Sequence, residues 1–535
     1  MDTQPTARAE IAATLEYRPA TNRARPAAIA ATVILCLLAA VYVRTNVIDV
    51  LNRWSTPSDF DVYYRAAKDI AGGVSPYENP AYFYPPLAAF LMAPFAWANY
   101  HTARWIWLAS SQVMLVAAAW LTWRASARRL PGLICVALIW AMGGASAETL
   151  RIGQLSPLLL VALAAAYSEH IAVQDTAVSA AFALKYFPGV VAVALWLQRG
   201  WRGVLKLTGI AFLAASVPWL VLAGFFTGPK LAVKAHYWLG TPSMFSWSLP
   251  SVVLRILLPI HRGQHLPFPW EYGNVAGELN LAPSLQMMSA AVALATLAGG
   301  ILALIVACRG SLQPAQVPFA MAALVSLVLV AAPVSWTHYQ VLQYPGVALL
   351  LNHAVRRRKC WTAAGIALCF ALCYQLPELA LIHYHDIHSG WTAYSPLTLY
   401  TWTSLPPFAA LGLFAFALSM VRSEKGPPAA ERRPLTPHES ADNRELLHPL
   451  RSRPAPPALP ARAGRYPRVP TQAGMPRASA TPCATAASLP ADFHAHGDRN
   501  PLPRESAPAK TGAADRARAS TPLPALRGTR NTRRH

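Results

Sequence analysis

The sequence predicts an all-α polytopic membrane protein, and three observations support that fold class. Of the 535 residues, 54% are hydrophobic and only 13% are charged, whereas soluble proteins carry about 25% charged residues. The mean hydropathy is +0.30, and apolar windows of about 20 residues recur between short basic or Pro/Gly-rich stretches. Alternating apolar and polar strands, as in a membrane barrel, are not seen. Helices are therefore expected, because lipid cannot hydrogen-bond to free backbone groups.

The apolar windows indicate a bundle of about 10 to 13 transmembrane helices. The twelve candidate spans lie at 27–43, 83–99, 104–123, 132–149, 155–168, 176–198, 204–224, 285–308, 316–333, 338–354, 361–381 and 397–421. The windows at 83–99 and 155–168 are short or contain proline, so they could form half-helices.

Three regions follow from this pattern. Residues 1–26 are polar and form a predicted cytoplasmic segment before a first span that is retained as an anchor. Residues 27–422 form the membrane domain. Residues 423–535 are dominated by Pro, Ala, Arg, Ser and Thr without apolar periodicity. They predict a disordered basic tail.

The distribution of Lys and Arg predicts the orientation of the spans. Basic loops at 198–202, 309, 356–359 and 422–425 all fall on the side of the N-terminus, which is therefore assigned to the cytoplasm. The loop with Arg124, Arg128 and Arg129 falls outside in this count, so either the count is off by one there or these arginines contact lipid phosphates. The outer face then receives the segments 44–82, 225–284, 333–339 and 383–388.

The first outer segment contains "PSDFDVYYRAAKDIAGGVSPY", residues 57–77. A short amphipathic helix over 59–71 would align Asp59, Val62, Tyr63 and Ala66 on one face. Asp61 precedes Arg65 by four residues, which predicts a structural ion pair. Asp59 has no such neighbour and is available as a general base. The alternative is that both aspartates solvate a loop or cap the helix.

Other polar residues lie at the edges of spans. Lys185 falls within an apolar segment, where a lysine either marks function or extends to the interface, and its ammonium suits a phosphate. Arg255 ends an amphipathic stretch in the long outer loop. Further candidates are Gln154 in "TLRIGQLSPLLL" and Ser335, Trp336 and His338 in "PVSWTHY".

Metal and nucleotide chemistry find little support. The stretch "HYHDIH" at 383–388 sits in a predicted irregular loop, so no metal site is expected. No Walker A loop, Rossmann glycine fingerprint or GxSxG elbow is present, which argues against a nucleotide-driven reaction. No nucleic-acid-binding module is seen.

Seven stretches occur in a characteristic order: "DFDVYYRAA", "GVSPY", "YPPLAAFLMAP", "GQLSPLLL", "ALKYFPG", "SLPSVVLR" and "SWTHY". Together they resemble glycosyltransferase family 87, the bacterial polyprenyl-phosphate-mannose-dependent α-mannosyltransferases, over about residues 30–420. The resemblance implies the GT-C membrane fold. It implies a lipid-phosphate sugar donor and an acceptor at the outer face.

The resemblance also assigns roles to residues. The family's catalytic aspartate in its D-x-x-V-Y context corresponds to Asp59 rather than Asp61, because the stretch "DFDVY" begins at Asp59. The S-W-x-H motif corresponds to Ser335, Trp336 and His338, and the Lys-x-x-Pro motif begins at Lys185. The chain departs from the family in having Ser-Trp at 246–247 where Asn-Gln is frequent, and a tyrosine at 339 where a second histidine often follows.

The resulting expectation is an inverting transfer of a hexose, mannose in the first instance, from a polyprenyl-phosphate donor to a lipid or glycan acceptor. Asp59 would be the base, and the donor phosphate would be held by Lys185, Arg255 and His338. Tyr63 and Trp336 would shape the sugar pocket, with Asp61, Gln154 and Ser335 as secondary candidates, and no metal or cofactor is expected. The enzyme would lie in the bacterial cell membrane, with its site outside and both termini in the cytoplasm.

Three alternatives remain open at this stage: a transporter or flippase of lipid-linked sugars, a scaffold or sensor that uses the tail to bind partners, and a related lipid-dependent transferase of another sugar.

Overall fold

The computed structural model describes residues 24–52, 59–79, 82, 84–221, 245–261, 282–380 and 396–424. The predicted tail from residue 425 onward, the "HYHDIH" stretch and most of the long outer loop lie outside these residues. Within the described ranges the chain is helical, and its one β feature is an isolated bridge between Ser246 and Trp336. The all-α prediction is confirmed.

Fifteen α-helices of seven or more residues organise the described part of the chain. They are α1 (Ala24–Val43), α2 (Asp59–Ala71), α3 (Pro86–Met92), α4 (Tyr100–Ala125), α5 (Leu130–Met142), α6 (Gly144–Ile152), α7 (Ser156–Ala166), α8 (Ile171–Leu184), α9 (Ala192–Val221), α10 (Leu249–His261), α11 (Pro283–Cys308), α12 (Val317–Ala331), α13 (Tyr344–Arg356), α14 (Cys360–Cys373) and α15 (Pro396–Ser423).

Six of the described helical stretches are long and apolar enough to cross a membrane. They are Pro26–Asn52, Tyr100–Ala125, Pro283–Cys308, Pro314–Ala331, Cys360–Glu378 and Thr401–Ser423. Helices α5 and α6 together make a seventh candidate that is bent by 53°. The chain is therefore a multi-pass membrane protein, and the other predicted spans fall on shorter or kinked helices.

Prolines and one lysine explain where the predicted spans are interrupted. The window 83–99 forms α3 and a 3-10 turn, Ala93–Trp97, that begins next to Pro94. The window 176–198 is not one span, because α8 ends before Lys185 and a 3-10 turn, Phe187–Val191, precedes α9. Lys185 itself is extended, with φ −160° and ψ 121°. Pro188 supplies no backbone donor to continue a helix through this break.

Burial separates the central helix of the bundle from its periphery. Almost every side chain of α12 is buried, and α12 packs against α13 and α15. In α1, by contrast, Ile29 is 65% exposed and Leu37 is 62% exposed. An apolar helix that leaves its side chains uncovered by protein suits contact with lipid.

Candidate active site

Helix α2 presents the first candidate residues. It begins at Asp59 and ends at Ala71, as predicted. Tyr63 and Ala66 are buried and Asp59 is half-buried, so the predicted inner face does pack inward. Phe60 is fully buried, with its ring stacked 6.3 Å from the ring of Trp107 on α4. This aromatic packing anchors the helix end that carries Asp59.

The two aspartates of this helix have different environments. Asp61 Oδ2 lies 2.8 Å from Arg65 Nη2, with both side chains substantially exposed. The predicted ion pair is confirmed, and exposed pairs of this kind contribute at most about 1 kcal/mol to stability. Asp61 is thereby engaged on the outer face of α2, whereas Asp59 lies next to the buried aromatic residues.

A tight turn after α6 brings Gln154 against Asp59. Gly153 has φ +72°, the left-handed conformation that ends many helices. A Cβ atom on Gly153 would lie 2.6 Å from the Cβ of Phe60, so the close approach of α2 requires glycine here. Trp107 Nε1 donates a hydrogen bond of 2.9 Å to the Gly153 carbonyl. These contacts determine the backbone position directly before Gln154.

The Gln154 side chain connects three groups of the site. Its Oε1 accepts a hydrogen bond of 2.9 Å from the Tyr63 hydroxyl. Its Nε2 donates to Asp59 Oδ2 and, at 3.2 Å, to the Tyr84 hydroxyl. Gln154 is only 1% exposed, so its amide is well ordered by these contacts. The Asp59 carboxylate is thus oriented through one of its oxygens.

Lys185 lies at the helix break between α8 and α9, inside a group of aromatic rings. Its Nζ is 3.7 Å from the ring centroid of Tyr339, 5.1 Å from that of Tyr84 and 5.5 Å from that of Phe187. Nζ is buried and makes no hydrogen bond to any described residue. Cation–π contacts stabilise an ammonium only in part, so Lys185 retains three donors suited to an anionic ligand.

The Ser-Trp-x-His segment is held by a short antiparallel contact. Ser246 bridges Trp336, and Trp247 N donates a hydrogen bond of 2.7 Å to the Ser335 carbonyl. Ser335 N donates in turn to Ser246 Oγ at 3.1 Å. The Ser-Trp pair at 246–247, one of the departures from the family pattern, therefore contacts the family's other motif directly.

Arg255 supports this contact from α10. Its side chain is fully buried, and it donates hydrogen bonds of 2.9 Å to the Ser246 carbonyl and 3.0 Å to the Thr403 carbonyl. The two terminal nitrogens of the guanidinium, Nη1 and Nη2, thus donate to backbone carbonyls of two separate segments. These contacts connect the Ser246 segment to α15.

His338 adjoins the aromatic rings around Lys185, with its ring centroid 4.4 Å from that of Tyr339. It is 6% exposed, and its carbonyl accepts a hydrogen bond of 3.1 Å from Thr149 Oγ1 on α6. Its Nε2 is buried and has no hydrogen-bond partner among the described residues, and the same holds for Ser335 Oγ. The positive charge of Lys185 lies close enough to act on His338. Buried polar atoms without partners are rare in proteins, which makes both atoms candidates for ligand contacts.

The environment of Asp59 perturbs its acidity. The pKa of the Asp59 carboxyl is raised from 3.8 to about 6. Burial is the main cause, the Lys185 ammonium acts to lower this pKa, and the negative charge of Glu148 acts to raise it. A carboxyl group with a pKa near 6 is ionised at neutral pH yet is a better proton acceptor than an ordinary aspartate. Perturbed carboxyl groups of this kind are frequent at catalytic sites.

The structure therefore joins Asp59, Tyr63, Gln154, Lys185 and His338 in one contact network. Asp61 faces away from this network, and Arg255 is engaged elsewhere by backbone carbonyls. Trp336 is half-buried and enters the site region through its bridge to Ser246.

Two tyrosines of the site could not be singled out from the sequence. Tyr84 reads as an interfacial aromatic residue before a double proline, yet its hydroxyl accepts a hydrogen bond from Gln154. Tyr339 stands where the family often has a second histidine, so no role was assigned to it from the sequence. Among the rings of Tyr84, Phe187 and Tyr339, however, that of Tyr339 is closest to Lys185 Nζ. The only sequence signal was their position next to motifs that carried charged candidates.

Comparison with known proteins gives one matching family and one similar curated protein. The profile of glycosyltransferase family 87 matches residues 82–335, a range that includes Gln154, Lys185 and Arg255 but not Asp59 or His338. The chain is 26% identical over 427 residues to a polyprenol-phosphate-mannose-dependent alpha-(1-2)-phosphatidylinositol mannoside mannosyltransferase of Mycolicibacterium smegmatis. That alignment covers 71% of this chain and 88% of the relative. No solved structure matches.

Proposed function

We propose that this chain, a membrane glycosyltransferase of family 87, transfers mannose from a polyprenyl-phosphate donor to a lipid acceptor. The proposed transfer inverts the configuration of the anomeric carbon. The observation that carries this proposal is the position of Asp59. Its carboxyl, with a pKa near 6, lies within electrostatic reach of the Lys185 ammonium. A base beside a buried cation is what glycosyl transfer from a phosphate donor requires.

In the proposed reaction Asp59 accepts the proton of the acceptor hydroxyl. The hydroxyl oxygen forms a bond to the anomeric carbon, and the bond from that carbon to the phosphate oxygen breaks. The phosphate leaves with the electron pair, so one displacement inverts the anomeric centre. This step uses one carboxylate base. Gln154 orients that base through its hydrogen bond to Oδ2.

The cationic half of the site is suited to the leaving phosphate. Lys185 Nζ and His338 Nε2 are both buried, and neither has a hydrogen-bond partner among the described residues. Phosphate oxygens are strong acceptors, and their negative charge would offset the burial of the ammonium. For Arg255 we propose a positioning role, because its guanidinium holds two backbone carbonyls next to the Ser-Trp-x-His segment.

We place the site at the outer face, with the basic loops in the cytoplasm. Three hydrogen bonds connect residues at or near these loops, which supports their placement on one side of the membrane. Leu312 N donates to the Leu197 carbonyl at 3.0 Å, Gln316 Nε2 donates to the Val421 carbonyl at 2.6 Å, and Arg357 Nη2 donates to Glu424 Oε1 at 2.8 Å. The site segment 335–339 precedes the N-terminus of α13, and Arg356 ends that helix. A helix of 13 residues spans about 20 Å, so α13 separates the site segment from the basic loop at 356–359 by about this distance.

Cysteine labelling tests this orientation. Cys360 is exposed next to the basic loop at 356–359, so in a variant that keeps only this cysteine, a membrane-impermeant maleimide should label it only after the cells are permeabilised. A cysteine in place of the exposed Lys68 on α2 should react in intact cells. The reverse pattern would place the site on the cytoplasmic side.

A donor panel tests the reaction itself. Purified protein is incubated with polyprenyl-phosphate-linked mannose, glucose or arabinose and with phosphatidylinositol mannoside, the acceptor class of the curated relative. We expect transfer from the mannose donor, with an α-linkage in the product from a β-linked donor. Preferential use of another sugar would replace mannose in the proposal. Retention of the donor's configuration would contradict the single displacement.

The role of Lys185 is tested by Lys185→Met, with the exposed Lys68→Met as the matched control. Removing the buried ammonium should raise the donor KM at least about tenfold, as expected when a charge-assisted hydrogen bond is lost. It should leave thermal stability unchanged or higher, because an unpartnered buried charge destabilises the fold. A donor KM equal to that of Lys68→Met would remove Lys185 from the donor site.

A further inference from the structure

A second polar cluster lies on α6, the helix that ends two residues before Gln154. Glu148 and Arg151 of this helix form a two-pronged ion pair, with Arg151 Nε 2.8 Å from Oε2 and Nη2 2.7 Å from Oε1 of Glu148. Both side chains are only about one-quarter exposed. Tyr374 and Glu378, at the C-terminal end of the span Cys360–Glu378, lie over the first turn of the same helix. A Cβ atom on Gly144 would lie 2.7 Å from Tyr374 Cε1.

The Tyr374 hydroxyl has no hydrogen-bond partner among the described residues, although Tyr374 is only 2% exposed. The ring of Tyr374 lies against Gly144 of α6, and the charges of Glu378, Glu148 and Arg151 all act on its hydroxyl. The side-chain amide of the adjacent Gln375 also has both polar atoms buried without a partner among the described residues. A buried hydroxyl without a partner, close to charged side chains, indicates that a ligand supplies the missing hydrogen bond.

The cluster adjoins the catalytic region through α6. Thr149, next to Glu148, donates a hydrogen bond to the His338 carbonyl. The negative charge of Glu148 acts on Asp59, and the positive charge of Arg151 acts on His338. Asp59 is therefore within electrostatic reach of both the Lys185 ammonium and the Glu148 carboxylate of this cluster.

The charges of the cluster determine the kind of ligand it suits. The carboxylates of Glu148 and Glu378 repel a phosphate group, and the positive charges of Arg151 and the nearby Lys185 repel a cation. A neutral ligand with several hydroxyls remains, since carboxylate oxygens accept hydrogen bonds from hydroxyls while the Arg151 and Tyr374 groups can donate to them. Pockets for small polar molecules are generally specified by a few such groups.

We propose that Glu148, Arg151, Tyr374 and Glu378 bind a neutral, hydroxyl-rich sugar of the acceptor and direct one of its hydroxyls toward Asp59. This inference rests on the proposed function, because it names the acceptor side of the same reaction. The donor phosphate and the acceptor hydroxyls are thereby recognised by two different sets of charged groups, both of which act on Asp59.

The kinetic test compares Tyr374→Phe and Glu148→Gln with the wild type. Tyr374→Phe removes only an unpartnered hydroxyl, so the variant should fold as well as the wild type. With phosphatidylinositol mannoside as acceptor, we expect each variant to raise the acceptor KM at least about tenfold and to change the donor KM less than about twofold, because the proposed contacts to the donor phosphate come from Lys185 and His338. An unchanged acceptor KM in Tyr374→Phe, or an equal rise in donor KM, would overturn the proposal.

Asp175→Asn is the matched control, because Asp175 forms a similarly buried ion pair with Arg199, at 2.6 Å, outside the described site contacts. It should leave the acceptor KM unchanged. A rise like that of Glu148→Gln would mean that loss of any buried pair has this effect, and would overturn the assignment.

A binding measurement separates this proposal from the proposed reaction. Methyl α-D-mannopyranoside at tens of millimolar should raise the melting temperature of the wild-type protein but not that of Tyr374→Phe, whereas farnesyl phosphate should stabilise both. This result would support the acceptor site even if no sugar of the donor panel were transferred. The same shift in both proteins, or no shift in the wild type, would refute it.

Discussion

Replacing Asp59 by asparagine tests the central chemical assignment. Asparagine keeps an oxygen that can accept the hydrogen bond from Gln154, but it cannot take a proton from an acceptor hydroxyl. General base catalysis contributes about 10²- to 10⁴-fold to rates, so Asp59→Asn should lower the rate of transfer at least about 100-fold. The donor KM should change little, because the proposed phosphate contacts come from Lys185 and His338.

The magnitude of the stability effect follows from the acidity of Asp59. Its pKa is raised from 3.8 to about 6 mainly by burial, and a difference of this size corresponds to about 3 kcal/mol. The folded state binds this proton more tightly than the unfolded state does. The stabilisation contributed by this one carboxyl is therefore fully present below pH 3.8 and is lost as the pH rises through about 6. At pH 7 Asp59→Asn should be more stable than the wild type by up to about 3 kcal/mol.

The assay follows radiolabelled mannose from the polyprenyl-phosphate donor into lipid, with thermal unfolding measured on the same preparations. Asp61→Asn is the matched control, because Asp61 lies two positions away on the same helix in an exposed ion pair. The wild-type rate should fall below pH 6, where the Asp59 carboxyl is protonated. Transfer by Asp59→Asn within threefold of the wild-type rate, or an equal loss in Asp61→Asn, would refute the assignment.

Three further variants test how the site is built. Gly153→Ala combines a left-handed φ with a clash against Phe60, so it should destabilise the protein by about 1–3 kcal/mol. Its control is Gly310→Ala, at a position with φ +85° and open space around it. This control should lower the thermal unfolding temperature less than Gly153→Ala does. Gln154→Leu removes the hydrogen bond to Asp59, so the rate should fall about tenfold and the midpoint of the pH–rate profile should move; an unchanged profile would argue against an orienting role. Tyr339→Leu removes a cation–π contact worth about 2 kcal/mol when desolvated, so it should raise the donor KM by up to about thirtyfold, whereas Tyr339→Phe, which keeps the ring, should not.

Local sequence patterns were sufficient for the class of fold and for the helix that carries Asp59. Apolar windows predicted a multi-pass membrane protein because a helix must be long and apolar to cross a bilayer. The spacing of apolar residues predicted the inner face of α2, and the four-residue spacing of Asp61 and Arg65 predicted their ion pair. These features depend on residues that are close in the chain, so they are visible in the sequence.

The site itself depends on contacts between distant segments, and these only the tertiary structure decided. Gln154 meets Asp59 across 95 positions of the chain, and Tyr339 reaches Lys185 from a different segment altogether. The carbonyl contacts of Arg255 and the approach of Tyr374 to α6 are likewise nonlocal. No local pattern encodes which side chains meet when helices pack. The sequence by itself therefore determined a membrane transferase with a candidate base, while packing decided which groups surround that base.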